Sequence, residues 1–229
     1  MNYFSPMKKS LDIFGEALLA YSHGNRKKFY FQMVSGKEYE HNLKRYFRTY
    51  RQLTKSERKL ISLASGKTLD VGCATGYYLP ALMKKGQTIG IEISPHAVQV
   101  AHERNIQNCL LANIFHFNTN TKFDTITLLE NNIGMGGTPA RTKILLNILS
   151  KLLKPNGQIL ALSKKVNNAR YRTTELHPMW NGKTGTTLKW INLEINFLSD
   201  LCAKIGMKLT KIESNRYNHL LKIVKNNSY

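Results

Sequence analysis

The chain has 229 residues, 42% hydrophobic and 21% charged, which is enough apolar material for one compact core and too much for a disordered chain. No run approaches the roughly eighteen apolar residues that a membrane span needs. The three cysteines (Cys73, Cys109, Cys202) lie far apart without a CxxC pair, which argues against a disulfide framework and suits a reducing cytoplasm. The formal charge of +20 is unevenly spread. Residues 1–67 carry 14 basic and 5 acidic side chains, residues 68–150 carry 6 and 5, and residues 151–229 carry 14 and 4, for nets of +9, +1 and +10. Basic flanks around a near-neutral centre suit an anionic partner, nucleic acid included, and a lysine-rich composition on solvated faces gives the same count. The seven histidines show no HExxH or similar spacing, so no metal is expected.

Taken in chain order, residues 1–66 predict an N-terminal helical cap. Ser5-Pro6 offers an N-cap and a first-turn proline, and Leu11, Phe14 and Leu18 form an apolar stripe that stops near His23-Gly24. This reads as an amphipathic helix and not a signal sequence. Lys28–Val34 is aromatic and β-prone, and a second helix is expected from Ser56 to the Ser65-Gly66 stop. From Lys67 strand and helix signals alternate, which predicts a parallel sheet flanked by helices. Strands are expected at Thr68–Val71, Thr88–Ile93, Cys109–Ala112, Phe123–Leu129 and Gln158–Leu162. Helices are expected at Tyr77–Lys84, after Ser94-Pro95 and after Thr138-Pro139. The last has the pairs Ile144/Leu145, Ile148/Leu149 and Leu152/Leu153 on one face and ends at Pro155-Asn156-Gly157. Residues 164–187 are polar, basic and too long for an ordinary connection. A helix at Ile195–Ile205 and strands at Met207–Ile212 and His219–Val224 complete the chain. The expected organisation is a cap at 1–66 and an α/β domain at 67–229 with an insertion at about 164–190.

The informative motif is DVGCATG, Asp70 to Gly76, where a strand turns into a helix. Gly72 and Gly76 let the backbone fold tightly against a ligand, and the following helix aims its first amides at the same place. The turn is GxxxG and not the dinucleotide GxGxxG. Asp70 at the strand's end would repel a pyrophosphate and attract an ammonium and a sulfonium. Glu92 closes the second strand, where such an acid bonds both ribose hydroxyls. Together these residues favour S-adenosyl-L-methionine as the cofactor.

The succession Asp70–Gly76, Glu92, Asn113 and FDTITLLENN resembles the motifs of class I S-adenosylmethionine-dependent methyltransferases, from about Gly66 to Ser163. The resemblance implies a Rossmann-like, doubly wound seven-stranded sheet of order 3-2-1-4-5-7-6 with strand 7 antiparallel. It places Asp70, Gly72, Cys73, Ala74 and Gly76 at the methionine end and Glu92 at the ribose, with Ile93 and Ile114 beside the adenine. Asn113 stands where the family usually has an aspartate for the adenine amine, and Glu130 and Asn131 stand near the methyl group. AYSHGN, RYFR and NNIGMGGTPAR resemble bacterial members of unassigned substrate, which would fold Tyr46 and Arg48 over the cofactor, with Arg48 near its carboxylate.

Methyl transfer needs an acceptor placed in line with the methyl group and sheltered from water. LLENNIG replaces the [DN]PP[YFW] of adenine-N6 and glutamine methylation, and no Pro-Cys pair serves a cytosine route. Glu130 and His177 are the candidate general bases, with His116 and Glu175 behind them. Trp180, Trp190, Tyr171 and Tyr217 are candidate pocket walls, or core. The expected function is methyl transfer to oxygen or nitrogen of a small molecule. An RNA methyltransferase using the basic flanks is the alternative, and a non-catalytic binding module is a third reading.

Overall fold

The computed structural model describes Lys8 and residues 11–226; the Ser5-Pro6 start signal lies outside the described residues. The N-terminal part carries helices α1 (Ile13–Ser22) and α2 (Lys55–Leu63), with a hairpin of β1 (Tyr30–Met33) and β2 (Glu38–Glu40) between them. Two short 3-10 turns, Leu43–Phe47 and Tyr50–Gln52, lead into α2. The Thr54 hydroxyl caps the Glu57 amide while the Glu57 carboxylate accepts from the Thr54 amide at 2.6 Å, a reciprocal cap that starts α2.

The alternating region forms β3 (Thr68–Val71), α3 (Leu79–Met83), β4 (Thr88–Glu92), α4 (Pro95–Glu103), β5 (Cys109–Leu111), β6 (Phe123–Leu128), α5 (Pro139–Leu152) and β7 (Leu153–Lys164). β8 (Tyr171–Trp180), β9 (Lys183–Thr184) and β10 (Leu188–Leu193) follow, then α6 (Ile195–Ala203), β11 (Met207–Ser214) and β12 (Asn218–Lys225). The large sheet runs β11-β12-β7-β6-β3-β4-β5. β3 to β7 pair in parallel, and β12 runs antiparallel to both β7 and β11. Counted along the chain within this sheet, that is the expected order 3-2-1-4-5-7-6 with the seventh strand reversed.

Strand alternation divides the core into two faces. Leu69, Ile91, Ile126, Leu128 and Ile159 pack under α5 and α6, while Leu160, Leu162, Cys109 and Leu220 pack under α2, α3 and α4. On α5 the buried stripe is Thr142, Leu145, Leu146, Leu149 and Leu152, the i, i+3, i+4, i+7 pattern; Ile144, expected to share it, is 53% exposed. Each fully buried leucine there contributes on the order of 1.5–3 kcal/mol. Pro155-Asn156-Gly157 lies inside β7 and not before it: Leu153 already pairs with Phe123, and a register shift between Phe123 and Thr125 absorbs the irregularity. A Cβ on Gly157 would meet the Phe123 carbonyl oxygen at 2.8 Å, so only glycine fits that approach.

The polar stretch expected as a long insertion folds into a second sheet, β10-β8-β1-β2 with β9 on β8, antiparallel throughout. Gln32 faces His177 across β1 and β8, so residues 30–33 and 176–179 form one sheet. The N-terminal segment is therefore joined to the insertion by main-chain hydrogen bonds. Phe31, Trp180 and partly buried Leu176 and Leu188 pack with Ile13, Ala17 and Leu18 of α1, and α1 meets α4 of the large sheet.

Candidate active site

The C-terminal ends of β3, β4, β5 and β6 meet where the strand order reverses, the crevice in which open α/β sheets bind ligands. After β3 the chain turns through Gly72 at φ +75°, Ala74 at +48° and Gly76 at +70°. A Cβ on Gly72 would meet Asn132 Nδ2 at 2.7 Å, so the turn is drawn tight against the segment after β6. Asn132 Nδ2 donates to the carbonyls of Val71 at 2.8 Å and Gly72 at 3.0 Å. Cys73 is buried, with its sulfur 3.1 Å from that of Cys109, and burial pushes its thiol pKa up.

Two acids stand at this turn. Asp70 is 1% exposed; one oxygen accepts from the Thr127 hydroxyl at 2.6 Å and the other, Oδ2, has no partner. Burial pushes its pKa up to about 7 against the Thr127 hydrogen bond. A buried orphan acceptor is costly, and a cationic donor relieves it, so the position fits an ammonium-bearing ligand. Glu92 accepts the Ala74 amide at 2.9 Å on Oε2 and those of Ile93 at 2.8 Å and Ser94 at 3.0 Å on Oε1. Burial raises its pKa and these amides oppose the rise. It thereby braces the glycine turn, and Oε2 retains a lone pair for a hydroxyl donor. Asn113, after β5, caps the 3-10 turn Ile114–His116 by accepting the Phe115 amide at 3.0 Å; Ile114 is buried and Ile93, after β4, is half-buried.

The 3-10 turn Leu43–Phe47 closes over the glycine turn. The Thr75 hydroxyl donates to the Tyr46 carbonyl, the Tyr46 hydroxyl lies 2.8 Å from His41 Nε2, and the Tyr46 ring stands edge-on to Tyr77 at 6.0 Å. His41 sits among Phe14, Phe29 and Phe31, and burial lowers its pKa to about 4. Arg48 donates to Glu57 at 2.7 and 3.2 Å and to Glu130 at 2.7 Å, and Arg45 donates to the other oxygen of Glu130. The guanidinium expected near the cofactor carboxylate is thus fastened between two carboxylates of the protein. Burial raises the Glu130 pKa while Arg45 and Arg48 pull it down, so Glu130 ties the cover to β6.

Glu130 at φ +51° and Asn131 at φ +65° are consecutive left-handed residues, which is uncommon outside glycine and marks functional turns. They send three successive side chains to different places: Glu130 to Arg45 and Arg48, Asn131 to Asn192 at 2.8 Å, and Asn132 to the glycine turn. Asn131 also accepts the Lys164 amide at 2.9 Å on its side chain and the Trp190 indole at 3.2 Å on its carbonyl. It floors a cavity of about 650 Å³ walled by the second sheet, the end of β7 and the residues after it. On β8 the wall residues are Arg172, Thr174 and Leu176. Strand alternation puts His177 and Glu175 on the opposite face, where His177 meets Thr187 at 3.0 Å and Glu175 pairs with Lys189 at 2.7 Å. His177, expected as a base, is therefore not brought to Glu130 or to the cavity. Trp190 is a wall, whereas Trp180 is core and Tyr171 and Tyr217 are exposed. Among the described residues no group of three His, Cys, Asp or Glu side chains suits a metal ion, and no helix is long and apolar enough to cross a membrane.

A family model described as a methyltransferase domain matches residues 63–220. The chain belongs to this family. It is an S-adenosylmethionine-dependent methyltransferase of the class I fold. No curated protein matches its sequence. Among solved structures, it is similar to a SAM-dependent methyltransferase from Bacteroides fragilis in complex with S-adenosyl-L-homocysteine, with 24% identity over 97% of this chain and 98% of that one and a TM-score of 0.89. It is also similar to a sugar N-methyltransferase from Streptoalloteichus, with 15% identity over 85% and 96% and a TM-score of 0.60. An amino pentose methyltransferase from Micromonospora echinaspora gives 15% identity over 76% and 93% and a TM-score of 0.56.

Several site residues of this methyltransferase escaped the sequence reading. Asn132, Thr127, Glu57 and Arg45 lie in or beside the quoted motifs, yet their partners are 9 to 85 positions away. The available signal was RYFR, whose arginines at i and i+3 flank Tyr46 on one turn.

Proposed function

We propose that this methyltransferase acts on an oxygen or nitrogen of a small molecule held between the two sheets. The observation that carries the reading is the cavity of about 650 Å³ floored by Asn131, a size typical of small-ligand sites, one residue from Glu130 and from Asn132. S-adenosylmethionine, when bound, supplies an electrophilic methyl carbon on its sulfonium. Asp70 takes the ammonium, Glu92 the ribose hydroxyls and Asn113 the adenine amine, with Ile93 and Ile114 flanking the base. Gly72, Cys73, Ala74 and Gly76 give the backbone path that permits this approach. Tyr46 and the Leu43–Phe47 turn, tied down by Arg45, Arg48 and Glu130, keep water out. The residues lining the cavity include neither histidine nor carboxylate, so an acceptor that arrives already unprotonated suits it without a general base. The sugar N-methyltransferase among the similar structures supports a small-molecule acceptor.

The basic flanks, +9 and +10, favour RNA as the second reading. Methyl-labelled cofactor incubated with the protein and, in parallel, a metabolite extract and total RNA separates the two. Label is expected in the small-molecule fraction; stoichiometric label in one RNA species overturns the proposal.

A further inference from the structure

The cations that rim the cavity and those on the outer side of the second sheet differ in their pairing. On the outer face Lys189 pairs with Glu175 at 2.7 Å, and at the sheet's other side Lys28 pairs with Glu40 at 2.8 Å. The cavity side carries Lys164, Lys165 and Arg172, and none of these enters an ion pair among the described residues. No acidic side chain lines the cavity with them. Three like charges around one concave space repel one another, and the low-dielectric walls concentrate their field on whatever enters. Among the other polar groups of the wall, Asn131 and Asn192 bond each other, and the Trp190 indole is held on the Asn131 carbonyl. That bond fixes the Trp190 ring as a flat wall between the cationic rim and the floor.

We infer that the acceptor is a small anion, a molecule carrying a carboxylate or phosphate on a planar or apolar body. The charged group lies against Arg172 with Lys164 and Lys165, and the body lies along Trp190 toward Asn131. Arg172 offers a planar fork that matches either oxyanion, and the lysines add point charge. This inference rests on the small-molecule reading and narrows it. The charge is used for orientation: a molecule gripped by its anion at the rim presents its other end to the floor beside Glu130.

The test titrates the full chain, with S-adenosylhomocysteine present, with benzoate, phenyl phosphate and neutral benzamide, read by calorimetry. Both anions, or one of them, are expected to bind at least roughly tenfold more tightly than benzamide, the scale of one charge-assisted hydrogen bond. Benzoate alone binding assigns the group as a carboxylate, and phenyl phosphate alone as a phosphate. Arg172→Gln is expected to lower anion affinity by roughly tenfold while S-adenosylhomocysteine affinity stays unchanged, and Lys189→Gln on the outer face is expected to change neither. Benzamide binding as well as the anions, no binding of either anion, or indifference of Arg172→Gln overturns the anion assignment and leaves the small-molecule reading standing. A short RNA oligonucleotide that alone binds, with affinity falling steeply with salt and lost in Arg172→Gln, overturns both.

Discussion

The two sheets of this methyltransferase differ in how they are assembled and in the charge they present. The parallel strands of the large sheet pair with neighbours from the same stretch of chain, and their ends bring buried carboxylates, Asp70 and Glu92, to the glycine turn. The small sheet joins residues 30–40 to residues 171–193, and the cavity between it and the end of β7 is rimmed by Arg172, Lys164 and Lys165 without carboxylates. The lesson is a division of labour. In the proposed reading the large sheet receives the cationic amino-acid ligand, and the small sheet walls a separate chamber for the acceptor. The turn Glu130-Asn131-Asn132 joins the two halves.

The largest expected effect comes from unfastening the halves. Arg48 reaches Glu57, which is 3% exposed, and Glu130 just after β6. Arg48→Ala strands a buried carboxylate, and we expect a loss of about 3–5 kcal/mol in urea unfolding. A variant as stable as the wild type would show that apolar packing alone holds the cover. Next in size are the acids of the large sheet. Asp70→Ala and Glu92→Ala are each expected to weaken S-adenosylhomocysteine binding by about 1–3 kcal/mol in calorimetry, with anion binding in the small-sheet cavity retained. Unchanged affinity in both variants would remove these acids from the cofactor site and dissolve the electrostatic contrast.

The contrast in assembly also explains what could be read from the sequence. Strand boundaries from Thr68 to Leu128, the glycine turn and the last two strands were legible because each depends on nearby residues, apolar runs with Gly72, Gly76 and Gly206, whereas the strand order and the reversal of the last strand came from the family resemblance. β8 was not legible. TTELHPMW alternates only weakly, and its partners Gln32 and Trp190 lie far away in one direction and across a turn in the other, so register could not be inferred. The same gap misplaced His177, because a residue's face is undefined until its strand is recognised. Glu130 was legible as a site position, but its engagement by Arg45 and Arg48 depends on a cover more than 80 residues upstream.

A smaller effect follows from the state of Asp70. Burial pushes its pKa from 3.8 to about 7 in the unliganded protein. An acid whose folded pKa is raised contributes stability that is complete below 3.8 and is lost as the pH rises through about 7. A cationic ligand has the opposite preference, since it bonds the ionised carboxylate. S-adenosylhomocysteine affinity is therefore expected to rise about tenfold between pH 6 and pH 8, with proton release near the lower end, and Asp70→Asn is expected to flatten the profile. A flat wild-type profile would mean that Asp70 does not meet the ammonium.

The smallest effect concerns Asn113, where local structure and ligand binding compete for one side chain. Its oxygen already accepts the Phe115 amide at 3.0 Å and so caps the turn after β5. Carbonyl oxygens have two lone pairs, so the same atom can accept an adenine amine as well. Asn113→Asp preserves both acceptors and adds charge at the start of the turn, so stability and S-adenosylhomocysteine affinity should be kept or slightly improved. Asn113→Leu removes the cap and the acceptor together. Its capping loss, about 1 kcal/mol, will appear in urea unfolding whether or not adenine is bound there. The decisive quantity is affinity in calorimetry, measured well below the unfolding transition. If Asn113 holds the amine, the leucine variant binds several-fold more weakly, the scale of one neutral hydrogen bond. Equal affinity in all three proteins, with the leucine variant less stable, would reduce Asn113 to a cap and leave the adenine to Ile93 and Ile114 alone.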